Sequence, residues 1–144
     1  MGEERLTDEL LEQLLASASP EAYLAQSGIA DRSFTDYLNA LLDEKGLKRS
    51  VVIRDAGLDA TYGYDCFSGK RVNPSRDYVI QLALGLRCTL LETQRLLRYA
   101  RRSPLWPKIP RDAIIIFGIE HGRTRSQVDD DLFRLRRETL VKAE

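Results

Sequence analysis

Few side chains in this chain have the types and spacing that chemistry requires. The only histidine, His121, lies in Glu120-His121-Gly122. A catalytic imidazole needs a nucleophile or carboxylate held beside it, and no pattern here supplies one. Asp129-Asp130-Asp131 invites a divalent cation, but consecutive helical residues point about 100° apart, and no calcium-loop glycine or bidentate glutamate spacing follows. Cys66 and Cys88 are 22 positions apart with no Cys-x-x-Cys, so neither a disulfide framework nor a zinc site is indicated. No enzyme activity, metal or cofactor is expected. What remains is recognition by charge and hydrogen bonding, for which Lys48, Arg49, Tyr62, Tyr64, Lys70, Arg71 and Arg76 fall close together.

The elements that must position these residues are short helices. Gly46, Gly57 and Gly69 fall 11 and 12 residues apart, each after a run with helical character. Glycine best tolerates the left-handed conformation just past a helix end. The stretch therefore predicts a helix end, a helix over Lys48 to Ala56, a tight turn, a second helix over Asp59 to Ser68, and a stop. Two short helices joined by a three- or four-residue turn containing glycine make a helix-turn-helix.

Leu47, Ala56-Gly57-Leu58, Gly69-Lys70-Arg71 and Asn73-Pro74-Ser75 stand in the order and spacing of a known pattern. In these residues the chain resembles the Cro/C1-type (XRE) family of DNA-binding proteins, whose domain is λ-repressor-like. The likeness covers Phe34 to Ala100, about half the chain. It implies an all-α, λ-repressor-like bundle with helical N- and C-terminal extensions. It also implies a sequence-specific transcriptional regulator that binds double-stranded DNA as a homodimer, reading the major groove with the second helix. By position, Ala60, Thr61 and Asp65 inherit base reading. Ala60 and the Thr61 methyl suit a thymine methyl, and Asp65 suits a cytosine amino group. Tyr62 and Tyr64 reach phosphates through their hydroxyls, and Lys70, Arg71 and Arg76 meet the phosphate backbone.

Lys48 and Arg49 give an independent clue. Two cations at the positive end of a helix dipole are each unfavourable by about 0.3–1 kcal/mol, and a docked phosphate reverses that sign. The alternative is that Ser50 caps the helix and the two cations are simply solvated. Three residues depart from the family pattern. Gly63 stands where the family buries Ile or Val, Asp65 places a negative charge at the reading surface, and Val72 lengthens the following loop by one residue. Tyr64 and Phe67 are the candidates to refill the volume that Gly63 gives up.

A net charge of zero hides an asymmetry. Residues 1–44 hold ten acids and two bases, whereas residues 45–144 hold twelve acids and twenty bases. The basic excess coincides with the motif, which favours a nucleic-acid-facing surface. The acidic arm is then a candidate competitor for that surface. The longest strongly apolar stretch, Ala113 to Ile119, is too short to span a bilayer, and no leader pattern opens the chain, so a cytoplasmic location is expected.

Helix signals continue on both sides of the motif. Thr7 caps a helix to about Ala16, and Ser19-Pro20 starts another to about Gln26, with a connector from Gly28 to Arg32. Ser33 with Asp36, Thr89 with Glu92, and Thr124 with Gln127 mark further helix starts, the last helix running to about Arg137. Another helix is predicted from Asp77 to Gly85, and one from Arg111 to His121. The expected divisions are an acidic arm at 1–32, a helix-turn-helix domain at 33–100 and a helical pair at 101–144. Near the start of the last, Leu105-Trp106-Pro107 is either a lid on the core or an exposed anchor for a partner or dimer surface. Cys66 is expected to pack inward, with a redox switch as the sharper alternative. The rival to DNA reading is a protein-interaction adaptor that keeps the fold without reading DNA.

Overall fold

The computed structural model describes residues 11–26 and 33–142, and the chain divides into two compact units, residues 1–32 and 33–144. In the first unit, residues 11–16 are helical and Pro20–Gln26 forms a second helix. The Ser19 hydroxyl caps it by accepting from the Ala22 amide at 3.1 Å. The expected cap at Thr7 and the connector from Gly28 to Arg32 lie outside the described residues.

The second unit contains α1 (Phe34–Glu44), α2 (Arg49–Ala56), α3 (Ala60–Ser68), α4 (Arg76–Gly85), α5 (Leu90–Tyr99), α6 (Pro110–Glu120) and α7 (Arg125–Arg134). All regular secondary structure among the described residues is helical, and no described helix is long and apolar enough to cross a membrane. Local signals start most of these helices. Ser33, Asp59, Ser75, Thr89 and Thr124 each accept from the backbone amide three residues on. Glu92 and Gln127 complete capping boxes by reaching back to the cap amide. α7 ends three residues earlier than the sequence predicts, at Arg134, because Arg136 turns left-handed at φ 61°.

α4 is the centre of the unit, packing on α2, α5 and α7. Its residues Val79 to Gly85 are all buried, which explains why the run Val-Ile-Gln-Leu-Ala-Leu-Gly has no polar face. The one polar side chain there, Gln81, donates from Nε2 to the Ala56 carbonyl at 2.9 Å and so ties the end of α2 to α4. Each fully buried Leu or Ile of this core, such as Ile80, Leu82, Leu96 and Leu97, contributes about 1.5–3 kcal/mol relative to exposure.

The expected boundary at residue 100 is not a boundary in the packing. Leu105, Ile115, Ile119, Val128, Leu132 and Leu140 lie in the same buried cluster as Leu38, Val52 and Ile80. A crossed pair of Arg-Asp dipeptides joins the two regions. Arg76, at the start of α4, donates to both carboxylate oxygens of Asp112 at 3.1 and 2.7 Å. Its neighbour Asp77 accepts from Arg111 at 2.9 and 3.0 Å. The Asp77 carboxylate raises the Arg111 pKa above its ordinary value, against the opposing effect of burial.

Candidate nucleic-acid interface

α2 begins without a side-chain cap. Lys48 holds the N-cap position in extended conformation and no side chain bonds the first turn, which also contains no acid. Ser50 lies inside the helix and is not its cap. The first-turn amides of α2 therefore have no intrahelical acceptor, and the exposed Lys48 and Arg49 side chains stand beside them. Arg49 reaches over α3, its guanidinium 5.8 Å from the centre of the Phe67 ring. One cationic end thus adjoins the neighbouring helix.

Gly57 closes α2 in the left-handed region at φ 72°, where its amide donates to the Ile53 and Arg54 carbonyls. Leu58 is buried in the turn, and the Asp59 carboxylate accepts from the Tyr62 amide at 3.3 Å to start α3. α3 buries Gly63, Cys66 and Phe67 and leaves Ala60, Thr61 and Tyr64 exposed, with Asp65 half-buried. The carbonyl of Phe67 accepts from Asn39 Nδ2 at 2.9 Å, which fixes the far end of α3 to α1. Asn39 was not among the sequence-derived candidates, since nothing local marks a side chain that bonds 28 residues away.

Gly63 has a reason that the sequence conceals. A Cβ at that position would lie 2.6 Å from Ile53 Cγ2 and 2.7 Å from Cγ1. Ile53 of α2 therefore fills the space where a larger residue would otherwise sit. Tyr64 does not refill it, being 42% exposed, whereas Phe67 does pack inward at 4%. The absent side chain lets α2 and α3 approach closely.

Lys70 and Arg71 follow α3 and are both exposed. The Arg71 amide donates to the Asp65 carbonyl at 3.1 Å, and its guanidinium lies 4.2 Å over the Tyr62 ring. Tyr62 meets Tyr78 edge to face at 4.5 Å. Burial raises the Tyr62 pKa, with the nearby Cys66 thiol adding to it and the Ser75 backbone and Arg71 opposing it, so the phenol stays protonated at neutral pH. Its ring carries Arg71 on one side and Tyr78 at its edge, so Tyr62 positions a cation as well as offering a hydroxyl.

Two expectations need correction. Arg76 is not free for phosphate: beyond Asp112, its guanidinium donates to the Ser103 and Pro104 carbonyls at 3.0 and 2.8 Å. Leu105 belongs to the core, 2% exposed, and not to a partner surface. Trp106 beside it is 53% exposed, and its backbone amide donates to Asp112 at 2.9 Å. Asp112 thus collects Arg76 and Trp106 and fixes the proline-rich segment. The visible signal for this cluster was the repeated Arg-Asp dipeptide at 76–77 and 111–112.

The remaining candidates resolve into structural roles. His121 Nδ1 lies 2.8 Å from the Phe117 carbonyl and its ring stacks on Phe117, so the proton is assigned to Nδ1. Asp129 pairs with Arg125 and accepts from the Leu140 and Val141 amides, while Asp131 pairs with Arg123 and Arg134. No group of three His, Cys, Asp or Glu that could hold a metal ion occurs among the described residues. Burial pushes the Cys66 thiol up to about 11, and the side chain has no access to solvent.

No family model, curated protein or solved structure matches this chain.

Proposed function

We propose that this chain is a sequence-specific DNA-binding regulator of the Cro/C1 (λ-repressor-like) type, with α3 lying in the major groove. The observation that carries the proposal is the bare cationic start of α2 beside an exposed α3 face. Lys48 and Arg49 flank unbonded amides, which together attract a phosphate. Ala60 and Thr61 stand in the first turn of the neighbouring helix and Asp65 a turn further on, half-buried, where base edges would be met. Lys70 and Arg71 extend the phosphate footprint, with Tyr64 as a hydroxyl donor between. Binding as a homodimer on a two-fold site follows from size, because one small head buries too little surface for tight specific binding.

A second reading, an adaptor for another protein, rests on Trp106 and Ile109, both about half exposed on the proline-rich segment. One experiment separates the two. Purified protein is incubated with genomic fragments at near-physiological salt, and the captured fragments are sequenced. Enrichment of fragments sharing a two-fold motif supports the regulator, and its affinity should fall steeply with salt. Replacing Lys48 and Arg49 by Ala should lower the slope of log affinity against log salt by about 0.9 for each lost phosphate contact. Absence of any enriched motif would refute sequence-specific reading, leaving the adaptor as the better account.

A further inference from the structure

A second cationic feature lies at the other end of α2. There the last turn of α2, the end of α4 and the turn between α6 and α7 enclose a cavity of about 490 Å³. Four arginines are among its lining residues, Arg54, Arg87, Arg123 and Arg125, with one acidic residue, Asp55. Leu84 and Ile119 supply an apolar part of the wall. The volume falls within the range that holds a small organic ligand, and a few polar groups over an apolar wall are the usual composition of such sites.

The four arginines are held in different ways. Asp129 orients Arg125 at 2.9 Å, and Asp131 orients Arg123 at 3.3 Å. Neither carboxylate belongs to the cavity wall, and that of Asp129 is shared with two backbone amides. Arg54 meets only the exposed Asp55, at 3.3 Å. Arg87 is exposed and has no acid partner among the described residues. The carbonyl ends of α2 and α4 account for some of this positive charge, since cations suit a helix C-terminus. Arg123 also lies 5.8 Å over the Phe117 ring and Arg125 packs its Nε beside Gly57, so these two add positive charge, while the exposed guanidiniums of Arg54 and Arg87 keep a planar fork that matches phosphate.

We propose that this cavity is a binding site for a small phosphate-bearing organic anion, gripped by Arg54 and Arg87 within the added positive field of Arg123 and Arg125, with its apolar body on Leu84 and Ile119. The site is distinct from the start of α2 and does not depend on DNA being read.

The test uses inorganic pyrophosphate as probe and the full chain labelled with nitrogen-15, titrated at constant ionic strength without DNA. Saturable binding that shifts the Gly85, Cys88, Gly122 and Ser126 amides is expected. The double variant Arg54→Gln with Arg87→Gln should weaken it at least tenfold, and its melting should stay close to that of the parent, because both side chains are exposed. The variant Lys70→Gln with Arg71→Gln should bind pyrophosphate as the parent does. Non-saturable shifts, or shifts confined to residues 48–50 and 70–71, would overturn the proposal, as would unchanged affinity in the Arg54/Arg87 variant. None of these outcomes bears on the genomic-fragment experiment, so the two readings fail separately.

Discussion

Replacing Gly63 by alanine sets two known effects against each other. In an ordinary helix the change stabilises by about 1 kcal/mol, since alanine loses less backbone entropy. Here the new methyl would meet Ile53 at 2.6 and 2.7 Å, roughly 1 Å inside normal carbon–carbon contact. Ile53 is 3% exposed and has no open side to move toward, so about 1–3 kcal/mol of overpacking is expected. The net expectation is a loss of about 1 kcal/mol, or about 4 °C in Tm for a unit of this size. Ile53→Ala alone removes all three atoms nearest the new methyl and should cost about 2–5 kcal/mol through the cavity it leaves. Added to that background, Gly63→Ala should reverse sign and stabilise by about 1 kcal/mol, since the clash is gone and the helix gain remains. Urea unfolding of the four proteins gives the coupling, expected near 2 kcal/mol. A Gly63→Ala effect of the same sign and size in both backgrounds would refute the close approach of α2 and α3.

Four further outcomes follow from individual residues. Arg76→Ala should destabilise the fold by about 3–5 kcal/mol, because it strands the buried Asp112 carboxylate. Arg71→Ala should stay within about 1 kcal/mol of the parent in a urea melt while weakening DNA binding, and equal stability losses would contradict the division of roles drawn here. Glu92 is held below its ordinary pKa: burial pushes it up, but the Thr89 amide and the Lys45 ammonium together outweigh this. A depressed carboxylate contributes its stability above the unfolded pKa and loses it as pH falls through the folded one. Glu92→Gln should therefore cost about 0.5–1 kcal/mol near neutrality, with the gap to the parent closing below about pH 4 in urea melts. Burial pushes the Cys66 and Cys88 thiols up to about 11 and 12. Iodoacetamide at about pH 8 should thus label the native protein far more slowly than the urea-unfolded chain, and rapid native labelling of Cys66 would revive a redox role.

How far the sequence reveals this fold depends on the range of each interaction. Helix starts at Ser33, Asp59, Thr89 and Thr124, and the stops at Gly57 and Gly69, are legible because a cap bonds three residues away and a left-handed residue needs no distant partner; the cap at Ser75 follows the same rule, although the sequence reading starts that helix at Asp77. The exposure of Lys48, Arg49, Lys70 and Arg71 was legible for the same reason. Gly63 was not, since its role is defined by Ile53 on another helix. Nor was Arg76, whose position beside a basic run suggested phosphate while Asp112, 36 residues on, holds it. Leu105 and Trp106 look equivalent in the chain, yet one is buried and the other half exposed, a distinction made by distant partners: Gln94 bonds the Leu105 amide and carbonyl, and Asp112 the Trp106 amide.

The crossed Arg-Asp dipeptides carry a consequence for how this sequence can drift. Losing any one of Arg76, Asp77, Arg111 or Asp112 leaves its partner uncompensated, so single changes at these four positions should be purged. Exchanging a charge on one helix becomes tolerable only with the matching exchange on the other, which links positions more than thirty residues apart. Among sequences of common descent, the four should therefore be inherited together or replaced together, and an alignment in which they vary independently would show that the clasp is not under selection.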